Sequence, residues 1–377
     1  MSASCVVVVC VCRWGHEDPD EHDSATNFQV HRTLAAKLNV PLIPVATNPT
    51  NNVRMIHEGG SVAHNGRGTM IAVESVAMQR NLGPQRFHVA AAPVASATSP
   101  TSYEPSAEWD ACRNKLTEEY DRSLGVRKLI WLPTGVYEDE GTFRGPIARQ
   151  FQVKEYEGKT INHPGVYTLY TTNGHGDEFV KFIAEDTVLL AQCSPPDSKA
   201  AEDQSPLAQI AAYIEQQNYE RLERCAEIIS RETTHDGKPL KLVRIPTAPL
   251  LFTVMEAGDP IYDYYASYNH WVHPERDTLS GPMLAVLPTS YVNYLMTTRT
   301  VGAKSQSETS GAVLVARYWR QGEGRSEEVR KKEEEAHSVI QRAFPGRDLV
   351  HVDIEPVNMG GGGIHCSSQQ QPMPTAE

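Results

Sequence analysis

Glu327-Glu-Val-Arg-Lys-Lys-Glu-Glu-Glu-Ala-His-Ser-Val-Ile-Gln-Arg-Ala-Phe-Pro-Gly-Arg-Asp-Leu-Val-His-Val-Asp-Ile-Glu-Pro356 changes its periodicity once. Its first half puts Val329, Ala336, Val339, Ile340 and Ala343 on one face of a helix. Ser326 is placed to cap the N-terminus, Glu327 and Glu328 suit the positive end of the helix dipole, and Pro345-Gly346 stops the helix. Its second half, Leu349-Val-His-Val-Asp-Ile354, reads as a strand. The stretch is therefore a helix delivering the chain into a strand.

The same unit recurs upstream. An Ala/Leu-rich helix runs into Val40-Pro-Leu-Ile-Pro-Val45 within His31–Pro49. Arg113–Gly135 ends in Val126-Arg-Lys-Leu-Ile-Trp-Leu132, and Glu220–Pro249 contains Leu240-Lys-Leu-Val-Arg-Ile245. Companion apolar runs, Gly68–Val73, Asp186–Ala191 and Gly311–Ala316, suit strands buried on both faces. A repeat of this kind predicts an α/β radial or solenoid architecture, and its irregular spacing favours a closed ring with insertions. Ala90–Glu108 and Asp197–Pro206 read as surface loops. No linker interrupts the pattern, so residues 1–372 are expected to form one domain, with 373–377 a short tail.

Composition narrows the function classes. The chain has 377 residues, 40% hydrophobic and 22% charged, an ordinary globular balance. A net charge of −12 argues against a nucleic-acid or anionic-membrane partner and is compatible with a cationic small substrate. Val6–Val9 is too short to span a bilayer and lacks a preceding basic region. Seven cysteines without scaffold spacing (5, 10, 12, 112, 193, 225 and 366) predict a reduced, cytoplasmic protein.

Three loops carry unusual residues: His57-Glu-Gly-Gly-Ser61, Asn173-Gly-His-Gly-Asp-Glu-Phe179 and Met359-Gly-Gly-Gly-Gly-Ile-His-Cys366. Singly, each has an ordinary reading as a turn, a polar strand face or a flexible link. The glycine run lacks the Lys-Ser/Thr of a phosphate loop, and His16, Asp18, His22 and Asp23 read as a solvated acidic loop without metal-ligand spacing. Together the loops suit one chemistry. Cys366 is a nucleophile that needs thiolate character, and His175 can act as acid and base. Asp177 and Glu58 are carboxylates of the kind that grip a planar, cationic guanidinium. No metal or other cofactor is needed.

Glu58-Gly-Gly-Ser61, Trp131-Leu-Pro133, Asn173-Gly-His175 with Asp177, and Gly360-Gly-Gly-Gly-Ile-His-Cys366 with Gln369-Gln370 together resemble the agmatine deiminases. This is the Porphyromonas-type peptidylarginine deiminase family of the pentein superfamily. The resemblance runs from about Trp14 to Pro372, and Ser290-Tyr-Val-Asn-Tyr294 through Gln371 is its most specific part. It implies a five-bladed α/β propeller. It also implies Cys366 as nucleophile, His175 as acid/base, Asp177 and Glu58 as guanidinium-binding acids, and Asn173 as a substrate-binding residue. The implied reaction hydrolyses agmatine to N-carbamoylputrescine and ammonia through a Cys-bound thiouronium, a step toward putrescine and other polyamines. Family habit adds a homo-oligomer.

Three departures shape the expectation. The family's upstream Trp-x-Arg-Asp-x-Gly-Pro segment has no match here, so the chain is expected to be N-terminally incomplete and to lack its first blade. Thr171 stands where the family usually has an Asp, and the segment between Tyr137 and Thr172 is long. Two alternatives follow: a peptidylarginine deiminase, which needs an open cleft, and a catalytically dead pentein scaffold.

Overall fold

A computed structural model describes residues 55–82, 107–139, 146–169, 172–195, 205–263, 281–298, 311–322 and 325–368, with helical fragments at 32–33 and 35–37. In chain order the strands are β1 (Val62–His64), β2 (Thr69–Val73), β3 (Lys128–Leu132), β4 (Glu155–Tyr156), β5 (Lys159–Thr160), β6 (Tyr167–Thr168) and β7 (Val180–Ala184). They continue with β8 (Thr187–Gln192), β9 (Lys241–Pro246), β10 (Phe252–Met255), β11 (Met283–Val286), β12 (Leu295–Thr298), β13 (Gly311–Arg317) and β14 (Asp348–Asp353).

Three sheets share one plan. In β1-β2-β3, β7-β8-β9 and β12-β13-β14 an antiparallel hairpin is joined by a parallel third strand. The parallel strand is reached through helical chain. Glu74–Leu82 and Ala107–Leu124 lie between β2 and β3, Pro206–Ser230 lies between β8 and β9, and Glu327–Ala343 lies between β13 and β14. Parallel pairing requires such a crossover, since a tight turn can join only antiparallel neighbours. These are the second, third and fourth units read from the sequence. The first lies outside the described residues, apart from the fragments within 32–37.

A fourth sheet, β10-β11-β6, escaped the count. Its parallel strand β6 comes from the segment after Tyr137 that reads as a long loop, and it precedes its hairpin in the chain. The repeat pattern could not reveal it because β6 is only two residues long and no helix leads into it. The described strands form separate ladders with no closed sheet, so the architecture established is α/β.

Strand periodicity sorts side chains between layers. Ile71, Val73, Ile130 and Leu132 enter one core with Val188–Leu190, Ile245, Val313, Val315 and Ile340. Their alternate neighbours Met70, Ala72 and Trp131 pack outward with Met78, Leu116 and Tyr120. This is the period-two alternation of a sheet covered on both faces.

The helix quoted at the outset forms as read. Ser326 Oγ accepts from Val329 N at 3.4 Å, and the helix ends at Ala343 before Gly346, whose φ is 85°. Its buried face also holds Glu333, which accepts from Tyr318 N at 2.6 Å and Trp319 N at 3.1 Å. Glu333 thereby satisfies backbone donors where β13 ends. No helix among the described residues is long and apolar enough to cross a membrane.

Candidate active site

The three loops meet. Glu58 precedes the turn Gly59–Ser61, whose packing partner is the turn Gly176–Glu178. Gly60 is needed for space: a Cβ there would come within 2.3 Å of His175 Nδ1 and 3.1 Å of Asp177 Oδ1. Gly135, after Trp131-Leu-Pro133, abuts the backbone of Gly174, where a Cβ would stand 2.5 Å from Gly174 Cα. Asn173 holds a φ of 67° and is buried, with its Nδ2 lacking a hydrogen-bond partner. Asp139 gathers this second loop, accepting from Thr172 N at 2.8 Å, Gly174 N at 2.9 Å and His175 N at 3.1 Å, and from the Thr172 hydroxyl. Thr171, Gln369 and Gln370 lie outside the described residues, as does the acidic loop around His16–Asp23.

On one side of the cluster, His175 Nε2 and Glu58 Oε2 are 2.5 Å apart. Arg80 Nε donates to Glu58 Oε1 at 2.7 Å, and Arg80 Nη2 donates to the Thr172 carbonyl at 3.3 Å. Burial disfavours the charge on both partners, yet their attraction prevails. Glu58 is held at about 2 despite burial, by its hydrogen bond to His175, the charge of His175, and Arg80. His175 is raised, its burial outweighed by the same hydrogen bond and by the charges of Glu58, Asp177 and Asp139. Both Glu58 oxygens are thus engaged, and each keeps one lone pair for a further donor.

On the other side, Cys366 Sγ lies 3.5 Å from Asp177 Oδ2, 3.6 Å from Glu178 Oε1 and 3.1 Å from Asn293 Nδ2. Asn293 Oδ1 accepts from His365 N at 2.8 Å, fixing the nucleophile loop. Gly363 admits that contact, because a Cβ there would stand 2.6 Å from Asn293 Oδ1. Cys366 is exposed, whereas Cys112, Cys193 and Cys225 are buried and their thiols are pushed up to about 11, 12 and 12 by burial. The Cys366 thiol is also raised, by the burial of its sulfur end and then by the charges of Asp177 and Glu178.

Asp177 joins the two sides. Its Oδ2 is 2.7 Å from His365 Nδ1, while its Oδ1 is buried without a hydrogen bond and His175 Nδ1 stands 4.0 Å away. Burial works against its charge, but His365 and His175 outweigh burial and keep the carboxyl ionised. Asp177, Glu178 and Cys366 hold their donor atoms within 4.8 Å of one another, a group that fits a cation.

Residues 158–372, more than half of the chain, match the family model described as Porphyromonas-type peptidyl-arginine deiminase. The chain belongs to this family. Its family-matched part contains His175, Asp177, Asn293 and Cys366, while Glu58 and Arg80 lie ahead of it. Among curated relatives, the agmatine deiminase of Medicago truncatula is 24% identical over 342 residues, covering 90% of this chain and 63% of the relative. That of Pseudomonas aeruginosa (strain LESB58) is 23% identical over 317 residues, covering 84% and 57%. This family member thus spans under two thirds of the length of these relatives. The agmatine deiminase of Enterococcus faecalis superposes with a TM-score of 0.50 at 19% identity, covering 93% of this chain and 65% of that one, a likeness of fold.

The sequence expected the loops of Cys366, His175, Asp177 and Glu58 to converge, and the structure brings these side chains together. Glu178, Arg80, Asp139, Asn293 and His365 were not singled out for roles. Asn293 sits inside the quoted Ser290–Tyr294 motif and Glu178 directly follows Asp177, so both were within sight. Arg80 and Asp139 carried no local signal.

Proposed function

We propose that the chain is a guanidino-group deiminase acting on agmatine through a covalent intermediate on Cys366. The observation that carries this reading is Asp177 Oδ1, a buried, ionised carboxylate oxygen without a hydrogen bond beside the cysteine sulfur. His365 meets the other oxygen, and a buried carboxylate oxygen left without a donor costs about 1–3 kcal/mol. A guanidinium supplies both the charge and in-plane N–H donors. The same cation offsets the carboxylates that raise the Cys366 thiol, which favours thiolate once substrate is bound.

The thiolate then attacks the guanidinium carbon. Ammonia leaves with a proton from His175, whose protonated form is favoured by the hydrogen bond and charge of Glu58. Water, deprotonated by the now neutral His175, attacks the thiouronium. The C–S bond breaks, releasing N-carbamoylputrescine and restoring the thiol pair. Glu58 orients His175 and supports its charge; we also assign it a guanidinium contact through its remaining lone pairs, and Asn173 a contact through its free Nδ2.

The names of the curated relatives support agmatine as substrate. The exposure of residue Cys366 favours a second reading, a peptidylarginine deiminase, because a nucleophile loop at the surface can meet a side chain on a larger substrate. The deciding experiment measures ammonia release from agmatine by this chain beside Cys366→Ala. Release lost only in the variant supports the enzyme; no release from either folded protein sinks it. Preferential turnover of C-terminal arginine peptides would select the second reading.

The four three-stranded sheets also support a pentein ring within a single domain. Small-angle scattering tests it: a compact chain of this length has a radius of gyration of about 21 Å, and an open array gives a markedly larger value.

A further inference from the structure

Glu178 is as near the sulfur as Asp177 is, yet nothing in the reaction above uses it. Its Oε1 lies 3.6 Å from Cys366 Sγ, against 3.5 Å for Asp177 Oδ2. The residue is 5% exposed. It is also fixed at both ends. Its backbone carbonyl accepts from Ser290 Oγ at 2.7 Å, and the same Oγ accepts from Val292 N and Asn293 N. Its side chain accepts from Asn293 Nδ2 at 3.0 Å. One rigid turn therefore presents two carboxyl groups to one sulfur.

Among the described residues, no cation is hydrogen-bonded to Glu178. Asn293 is a neutral donor, and the ammonium of Lys181 donates to the Tyr294 carbonyl at 2.9 Å. The neighbouring acids are Asp177, Asp139 and Glu138, and the ammonium of Lys181 feels the charges of Asp177, Cys366 and Glu178 without a hydrogen bond to Glu178. A second acid packed beside an ionised one, without a cation, is unfavourable in the empty site. It becomes favourable when a cation with several donors enters, since two carboxylates can then take different N–H groups.

We infer that Glu178 is a second substrate-contacting carboxylate, gripping the guanidinium beside Asp177 and setting the site's preference for a cationic over a neutral guest. The inference rests on the deiminase reading and assigns the residue that selects charge. Burial and then the nearby acids push the Glu178 carboxyl well above the usual carboxylate range, and a cation between the two carboxyl groups would draw it back down.

The test compares alkylation of Cys366 by 2-chloroacetamidine, a cation, and 2-chloroacetamide, its neutral counterpart of similar size. Each reaction forms the Cys366 S–C bond and releases chloride, and peptide mass spectrometry gives the rate. Wild type is expected to favour the amidine, and Glu178→Gln to cut the amidine-to-amide ratio about tenfold or more. Glu178→Asp, which keeps the charge, should recover part of the preference. The chloroacetamide rate serves as the control for folding and access.

An unchanged ratio in Glu178→Gln overturns the inference while leaving the deiminase reading intact. Absence of amidine preference in wild type instead strikes the deiminase reading itself. A ratio that changes when EDTA is added would assign the Asp177–Glu178–Cys366 cluster to a metal ion and also overturn the inference.

Discussion

Asp177 stands between two halves of the cluster that solve the problem of buried charge in opposite ways. On the His175 side, Glu58 pairs with both the Arg80 guanidinium and the His175 imidazole at hydrogen-bond distance. On the Cys366 side, Glu178 and Asp177 crowd a thiol, with Asn293 and His365 as their side-chain hydrogen-bond partners. In the first half each Glu58 oxygen already has a side-chain partner. In the second half Asp177 Oδ1 has no hydrogen bond among the described residues, and the proposed guanidinium would supply one.

The largest effect should come from removing the second half's centre. Cys366→Ala is expected to lower agmatine deimination by about 10⁴-fold or more, the scale of a covalent nucleophile, with circular dichroism unchanged. Breaking the first half should cost less. Glu58→Gln removes the partner that raises His175, so the alkaline limb of the kcat profile should move to lower pH, with kcat falling about 10²-fold or more. An unmoved limb would detach Glu58 from His175.

Gly60→Ala leaves every charged group in place but drives a methyl into the imidazole. Displacement of His175 by about 1 Å is expected to cost roughly 10²-fold in kcat/KM. Wild-type activity in this variant would show that the loop relaxes.

The smallest effect is thermodynamic. Glu58 is depressed to about 2 in the folded protein, so its ionic stabilisation is present above its ordinary value near 4.5 and disappears as pH falls through about 2. His175 is raised, so its share is full below its ordinary value near 6.5 and is lost as pH rises through the folded value. Glu58→Gln should therefore be about 3 kcal/mol less stable than wild type between about pH 4.5 and 6.5, with the gap narrowing on either side. Denaturant titrations across pH measure it, and a gap independent of pH would deny the ion pair.

Legibility followed how local each signal was. The Ser326 cap and the Pro345-Gly346 stop act within one turn of chain, so their helix was readable in full. Cys366 and His175 stood out because glycines surround them. Arg80 did not, because it lies on the polar face of an ordinary helix and acquires its role only when Glu58, 22 residues away, turns back over it. Strand β6 was hidden for the same reason: Tyr167-Thr168 is apolar or polar enough for any loop until β11 pairs with it.

The sequence by itself determined the helix-to-strand unit, its repetition and the residue types of the reaction, because periodicity, capping and side-chain chemistry are properties of neighbouring residues. Which carboxylates are satisfied and which await a guest was decided only by the tertiary structure. Asp177 and Glu178 are adjacent acids in the chain, and nothing there separates them from Glu58. All three are buried alike, and their partners separate them, since the cost of an acid in a protein depends on which donors the fold brings within reach.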